Sequence, residues 1–314
     1  MTPDRKLDAS AADFLALMKK LNVPGYQSLS VEDARRLYAS GRKTVTPEPP
    51  DVPEVRDIAA SGPHGGIPLR LYRPAHGTLP VLVFFHGGGW VVGDLETHDV
   101  VCRHLALSSG CAVIAVDYRM GPEFRFPGAV EDAWAALQWI AEHGSGLDLD
   151  VGRLAVGGDS AGGNLAATVA IMARDAGGPA IAYQLLIYPS VDQRGGTASR
   201  AMYGSGYVLS HDEIVWFHAQ YLATDDDKAD WRASPLLAKS HADLPPAYVV
   251  VAGCDGLRDE GLAYAAELRL AGVPVSVREW PGQVHGFITM GRVIPQAGWA
   301  LHEMGLAVKA ALTA

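Results

Sequence analysis

From residue 54 onward the chain alternates short, continuously apolar runs with helix-sized stretches, and this alternation restricts the fold more than any other feature. Val81 to Phe85 is apolar at every position, as a strand buried on both faces must be. Segments 111–116, 153–156, 181–188, 248–252 and 275–280 repeat the signal. Helical stretches at about 97–108, 127–143, 161–175, 258–271 and 295–312 follow or separate them, and Gly272 with Pro274 provides a stop after the fourth. Parallel strands need crossovers of that length, so the expectation is a mostly parallel α/β sheet with helices on both faces. Segments 55–60 and 67–72, around Gly65-Gly66, read instead as a hairpin.

Two regions break the rhythm. The first 50 residues hold a helix over 11–21, with Phe14, Leu17, Met18 and Leu21 on one side. A second helix over 31–40 opens after Ser30 with Asp33 in its first turn, and a proline-rich connector follows at 46–53. Between Tyr188 and Tyr248 lie about 60 residues, too many for a plain crossover. They carry a helix around 212–222 and the run Asp225-Asp226-Asp227, read as a solvated turn. This insertion reads as a lid. Its aromatic residues Tyr203, Tyr207, Trp216, Phe217 and Tyr221 are the expected dock for helix 11–21, which is too short to be stable alone in water, with the core sheet as the alternative surface.

Charge and cysteine usage narrow the class. A net charge of −9 argues against a nucleic-acid partner. No run approaches the ~18 apolar residues of a membrane span. The N-terminus, with Asp4, Arg5, Lys6 and Asp8, lacks the apolar core of a secretory signal. Cys102, Cys111 and Cys254 are odd in number and show no zinc or redox spacing. A soluble cytoplasmic protein is expected, with no metal and no cofactor.

The chemistry concentrates at strand ends. Gly158-Asp159-Ser160-Ala161-Gly162 is a G-x-S-x-G element between an apolar strand and a helix rich in small residues. A sharp turn there lifts the Ser160 hydroxyl above the sheet, and the helix N-terminus adds positive potential where an oxyanion would form. His86-Gly87-Gly88-Gly89-Trp90 follows strand 81–85, and its glycines leave backbone N–H groups free to converge on a ligand oxygen. His86 itself reads as a loop-holding residue. An acid and a base must then follow in the order Ser, Asp or Glu, His. Asp255 stands just past strand 248–252, with Asp259 and Glu260 as rivals in the next helix, and His285 follows the last strand. His98, His104, His143, His211, His218 and His302 read as solvated helical or helix-flanking residues.

Together, HGGGW at 86–90, GDSAGG at 158–163, DYRMGPE at 117–123, CDGLRDEG at 254–261 and HGF at 285–287 resemble the bacterial hormone-sensitive lipase family of carboxylesterases, over about residues 50–314. The resemblance implies an α/β-hydrolase fold, an eight-stranded mostly parallel sheet under a helical cap. It divides the chain into a catalytic domain at 51–190 and 241–314, with cap parts at 1–50 and 191–240. It also implies Ser160 as nucleophile, Asp255 as acid and His285 as base, with oxyanion-hole amides from Gly88, Gly89 and Ala161. Gly256, where proline is usual, and Met120-Gly121, where Leu-Ala is common, depart from the pattern beside these positions.

Adjacency in sequence adds Trp90, Asp159, Tyr188 and Phe287 as candidate substrate-binding residues. The expected reaction is hydrolysis of a small ester of short to medium acyl chain through an acyl-enzyme, and the resemblance implies a homodimer through the edge near 275–280. Two competing readings are a lactone or amide hydrolase on the same residues, and a non-catalytic binding protein like the gibberellin receptors. Those receptors resemble this family but lack the catalytic histidine, and His285 is present here.

Overall fold

A computed structural model describes residues 6–313; Met1 to Arg5, which include two of the charged N-terminal residues, and Ala314 lie outside that range. Eight strands form one sheet: β1 Glu54–Gly62, β2 Gly65–Arg73, β3 Leu79–Phe85, β4 Ala112–Val116, β5 Leu149–Asp159, β6 Tyr183–Ile187, β7 Ala247–Cys254 and β8 Val275–Val284. Their spatial order is β1-β2-β4-β3-β5-β6-β7-β8. Only β2 pairs antiparallel, with β1 and with β4; every other pairing is parallel. The hairpin closes through Pro63-His64, flanked by the paired Gly62 and Gly65. β5 begins four residues earlier than its apolar run, because Leu149 pairs with Leu79 before a register shift at Pro80/Val81.

The helices are α1 Ala9–Lys20, α2 Val31–Val45, α3 Asp99–Ser109, α4 Gly128–His143, α5 Ala161–Ala176, α6 Ala198–Met202, α7 His211–Tyr221, α8 Arg258–Leu270 and α9 Gln296–Thr313. Side-chain alternation along β3 decides which of them goes where. Val81, Val83 and Phe85 face the layer of α4, α5 and α8, whereas Leu82 and Phe84 face α3 and α9. β3 and β4 are therefore apolar throughout because both of their faces are covered.

The N-terminal helices differ in part from expectation in their partners, α1 keeping the expected Tyr203 but not Trp216, Phe217 or Tyr221. Ala11 and Phe14 of α1 join the cluster of Tyr203, Val284, Phe287 and Ile288, while Leu17 and Leu21 stay 48% and 63% exposed. The cause lies at the start of the helix. Asp8 donates its N–H to the Gly282 carbonyl (3.0 Å) and accepts from Gln283 Nε2 (2.6 Å), which pins α1 to the end of β8. Trp216 and Phe217 of α7 are met instead by α2 and the turn before it: Ala34, Tyr38 and Tyr26 pack there, with Tyr26 stacked on Trp216. Ser30 caps α2 by accepting from Asp33 N–H, and α2 continues to Val45, past the expected end at residue 40. Ser210 and Glu213 form a capping box that starts α7.

Candidate active site

The turn between β5 and α5 holds Ser160 at φ 56°, ψ −116°, a strained conformation for a side-chain-bearing residue. It is tolerated because the backbone around it is packed too tightly for alternatives. A Cβ on Gly162 would run into the Phe85 carbonyl, so the start of α5 lies directly against the end of β3. Trp90 (φ 58°) and Tyr188 (φ 33°) also have positive φ; Trp90 lines the same cavity as Ser160, and the Tyr188 ring packs against His285.

His285 Nε2 lies 2.9 Å from Ser160 Oγ, and His285 Nδ1 lies 2.7 Å from Asp255 Oδ2. Asp255 is buried, and its Oδ1 accepts the Leu257 N–H at 2.9 Å. The carboxylate is thus fixed from both sides, and hydrogen bonding at Nδ1 leaves Nε2 to face the serine. The three residues come from the ends of β5, β7 and β8, at the carboxyl edge of the sheet.

The rival acids are engaged elsewhere. Asp259 accepts from Ser199 N–H and Arg258, and Glu260 accepts two hydrogen bonds from Arg200 and the Val191 N–H. Burial pushes the Glu260 carboxyl up, with Arg200 pulling against it. Arg200→Met would leave that carboxylate buried and unpaired, and is expected to destabilise the fold by about 3–5 kcal/mol. A urea titration that moved by less than 1 kcal/mol would contradict this assignment.

Opposite the histidine, the glycine loop is held open by its surroundings. Gly88 (φ 126°) and Gly89 (φ 59°) take conformations unfavourable to other residues; a Cβ on Gly88 would strike the Val92 carbonyl. The Gly88 carbonyl accepts from Val91 and Val92, and Gly87 donates to Asp159 Oδ1 at 2.8 Å. Among the described residues, the N–H groups of Gly88, Gly89 and Ala161 donate to no protein acceptor, and all three residues line the cavity with Ser160 and His285. That cavity measures about 1090 Å³. Phe217 rests on Gly89, and Trp90 stacks on Tyr221 at 4.4 Å.

Trp90 and Asp159 reach the cavity wall, whereas Tyr188 and Phe287 are fully buried. The Tyr188 ring sits 4.8 Å from the His285 ring, with Phe287 next to it. Asp159 Oδ2 accepts from the Tyr188 hydroxyl at 3.4 Å. His98 Nε2 lies 3.3 Å from its Oδ1, in ion-pair range though off the line of a hydrogen bond. Burial raises the Asp159 carboxyl, but His98, the Gly87 N–H and the more distant His285 outweigh it and hold it below the usual carboxylate value.

Two histidines expected at the surface are therefore inside. His98 is 1% exposed, and His218 is buried with Nε2 3.0 Å from Gln193 Oε1. Helical spacing carried the signal, since 98 shares a face with buried Val101, Cys102 and Leu105, and 218 with Ile214 and Tyr221. Arg35, not singled out from sequence, clamps the glycine loop by donating to the carbonyls of Val91 and Gly121 while paired with Glu123. No local motif marks it, because its partners are more than 50 residues away.

His86 is buried 4.4 Å above the Tyr118 ring, with Nδ1 2.8 Å from the Gly87 carbonyl. Burial, reinforced by His98, lowers its pKa to about 4. Its unfolded value is near 6.5, so the unfolded chain binds the extra proton between those values. The stabilising contribution is present above pH ~6.5 and is lost as pH falls towards 4, on the order of 3 kcal/mol in total. His86→Asn should flatten that part of the stability-versus-pH curve; an unchanged slope would contradict it.

A serine on a strand-to-helix turn, facing a strand-end histidine across a parallel sheet, defines an α/β hydrolase. The α/β hydrolase fold family matches residues 82–289. The chain is 44% identical over 299 residues to the carboxylic ester hydrolase LipN of Mycobacterium tuberculosis, covering 92% of this chain and 80% of that one. It is 38% identical to an ethyl acetate hydrolase of Pseudomonas putida, covering 86% and 87%. Among solved structures, an ester hydrolase from the Lake Arreo metagenome, complexed with a bipyridine phosphonate derivative, superposes with a TM-score of 0.95 at 41% identity. That match covers 98% of this chain and 100% of the other. The chain belongs to the bacterial hormone-sensitive lipase-like family of α/β-hydrolase carboxylesterases and is a carboxylic ester hydrolase. No helix among the described residues is long and apolar enough to cross a membrane.

Proposed function

We propose that this enzyme hydrolyses short- to medium-chain acyl esters through an acyl-enzyme formed on Ser160. The reading is carried by one observation, the chain of contacts from Ser160 Oγ to His285 (2.9 Å) and from His285 to Asp255 (2.7 Å). His285 takes the Ser160 proton as Oγ attacks the ester carbonyl. The N–H groups of Gly88, Gly89 and Ala161 donate to the oxyanion, at the N-terminus of α5 where the helix dipole adds to them. Asp255 stabilises the imidazolium. The alkoxide leaves with the proton held on His285 Nε2, and water then releases the acid by the same steps reversed.

Segments 1–50 and 191–240 act as the cap. Phe217 from α7 narrows the space directly over Gly89, and α1 and α2 wall the remainder. Acyl chains of about two to eight carbons fit beneath this roof without displacing it, and water is excluded from the oxyanion. Treatment with diethyl p-nitrophenyl phosphate should abolish activity and place one diethylphosphoryl group on the Ser160 peptide by mass spectrometry. Labelling elsewhere with activity lost would refute the nucleophile. Equal turnover of C4 and C16 p-nitrophenyl esters would refute the chain-length preference.

A further inference from the structure

Arg42, near the end of α2, lines the same cavity as Ser160 and His285. Its Nη1 donates to Thr289 Oγ1 at 2.6 Å, and its guanidinium lies 4.6 Å from the centre of the Tyr38 ring. A Cβ on Gly286 would be 3.7 Å from Nη2, so the cation rests against the turn that carries His285. Among the described residues, no carboxylate comes within ion-pair range of it.

The other charges in the cavity wall differ from it. Asp159 is held by the Gly87 N–H and His98, and Glu213 accepts from the N–H and hydroxyl of Ser210. Lys19 is exposed at the outer end, on α1. Among the described residues of the cavity wall, Arg42 alone is a partly buried charge without a counter-ion. Its neighbours are phenols: Tyr26, Tyr38 and Tyr188 all lie within electrostatic reach. Burial raises the pKa of each of the three, so they remain neutral hydroxyls. Arg42 is partly buried, and a partly desolvated cation without a counter-ion is costly, so a ligand that supplies the missing charge recovers that cost on binding.

We propose that Arg42 receives a carboxylate carried by the ester substrate away from its scissile bond, which makes carboxylate-bearing esters the preferred substrate class. This rests on the Ser160 reading above. A guanidinium presents parallel N–H donors suited to a carboxylate, and one arginine matches a single negative charge. A doubly charged phosphate would need a second cation in a cavity that already holds Asp159 and Glu213. His285 hands its proton to the departing alcohol, so a cation beside the His285 turn is near the alcohol part of the ester. Both placements of the charge are nevertheless tested.

Full-length enzyme is assayed at pH 7.5 with two matched pairs. One is monoethyl adipate against its terminal amide; the other is acetoxybutanoate against acetoxybutanamide. The readout is the kcat/KM ratio of acid to amide within each pair. Wild type should favour the acid in at least one pair. Arg42→Met should lower that ratio roughly 10- to 100-fold, chiefly through KM, the scale of one charge-assisted contact. Arg42→Lys should retain part of the ratio, and Lys19→Met should leave it unchanged. A structural role for Arg42 would depress acid and amide alike and leave the ratio fixed, which overturns the proposal. So does a wild-type enzyme that shows no preference, whatever the variants do, or an equal loss in Lys19→Met, which would mean diffuse attraction. A phosphorylated Ser160 in an enzyme without acid preference removes the Arg42 inference alone; failure to label Ser160 removes the reading beneath it.

Discussion

Ser160→Ala and His285→Ala are each expected to lower kcat by about 10⁴-fold or more while leaving the fold intact. Both side chains stand on turns at strand ends and contribute little to the packed layers, so their loss leaves the sheet's two cores untouched. Because Nε2 serves only one oxygen, removing either partner removes the same proton transfer. The double variant should therefore be hardly slower than either single one. Circular dichroism and thermal melts establish folding, and burst or steady-state assays with p-nitrophenyl butyrate give the rate. A folded variant within ten-fold of wild type would exclude the assigned nucleophile or base.

Asp255→Asn should reduce kcat by about 10³- to 10⁴-fold, and Asp259→Asn by less than about ten-fold. The first change puts an amide against His285 Nδ1, 2.7 Å from the present carboxylate oxygen, and so favours the wrong tautomer and removes the charge that stabilises imidazolium. The second touches Ser199 and Arg258, which lie outside the proposed proton path. Measured side by side at saturating ester, the reverse ranking would assign the acid to Asp259.

The sheet was legible because burial on both faces leaves a signature that needs no partner to be read. β3, β4 and β7 are apolar at nearly every position, and each is covered above and below. Ends were less legible. α2 runs to Val45 since the Thr46 N–H donates to the Arg42 carbonyl and the Arg292 N–H to the Val45 carbonyl, the latter a contact between residues almost 250 positions apart. The docking of α1 is legible only in part for a similar reason: its buried residues share a cluster with Tyr203 and Tyr207, as expected, but not with Trp216, Phe217 or Tyr221. Its apolar residues call for some apolar surface, but which surface is decided by Asp8 holding Gly282 and Gln283. Periodicity also sufficed to bury His98 and His218, had it been weighed above the general preference of histidine for the surface.

Local sequence determined the elements, their alternation, and the residues standing at strand ends: Ser160, Asp255, His285 and the glycine loop at 87–89. These follow from near-neighbour physics, namely apolar periodicity, capping and the backbone freedom of glycine. Tertiary structure alone decided the distances between residues up to 125 positions apart, such as Ser160 Oγ to His285 Nε2. It alone placed the Arg35 clamp, the His98–Asp159 support behind Gly87, and Arg42 in the cavity wall with no carboxylate among the described residues in ion-pair range of it. A side chain's type states which partner it could take. Which partner it meets, or that it meets none, is set by how eight strands and the helices around them close into one packing.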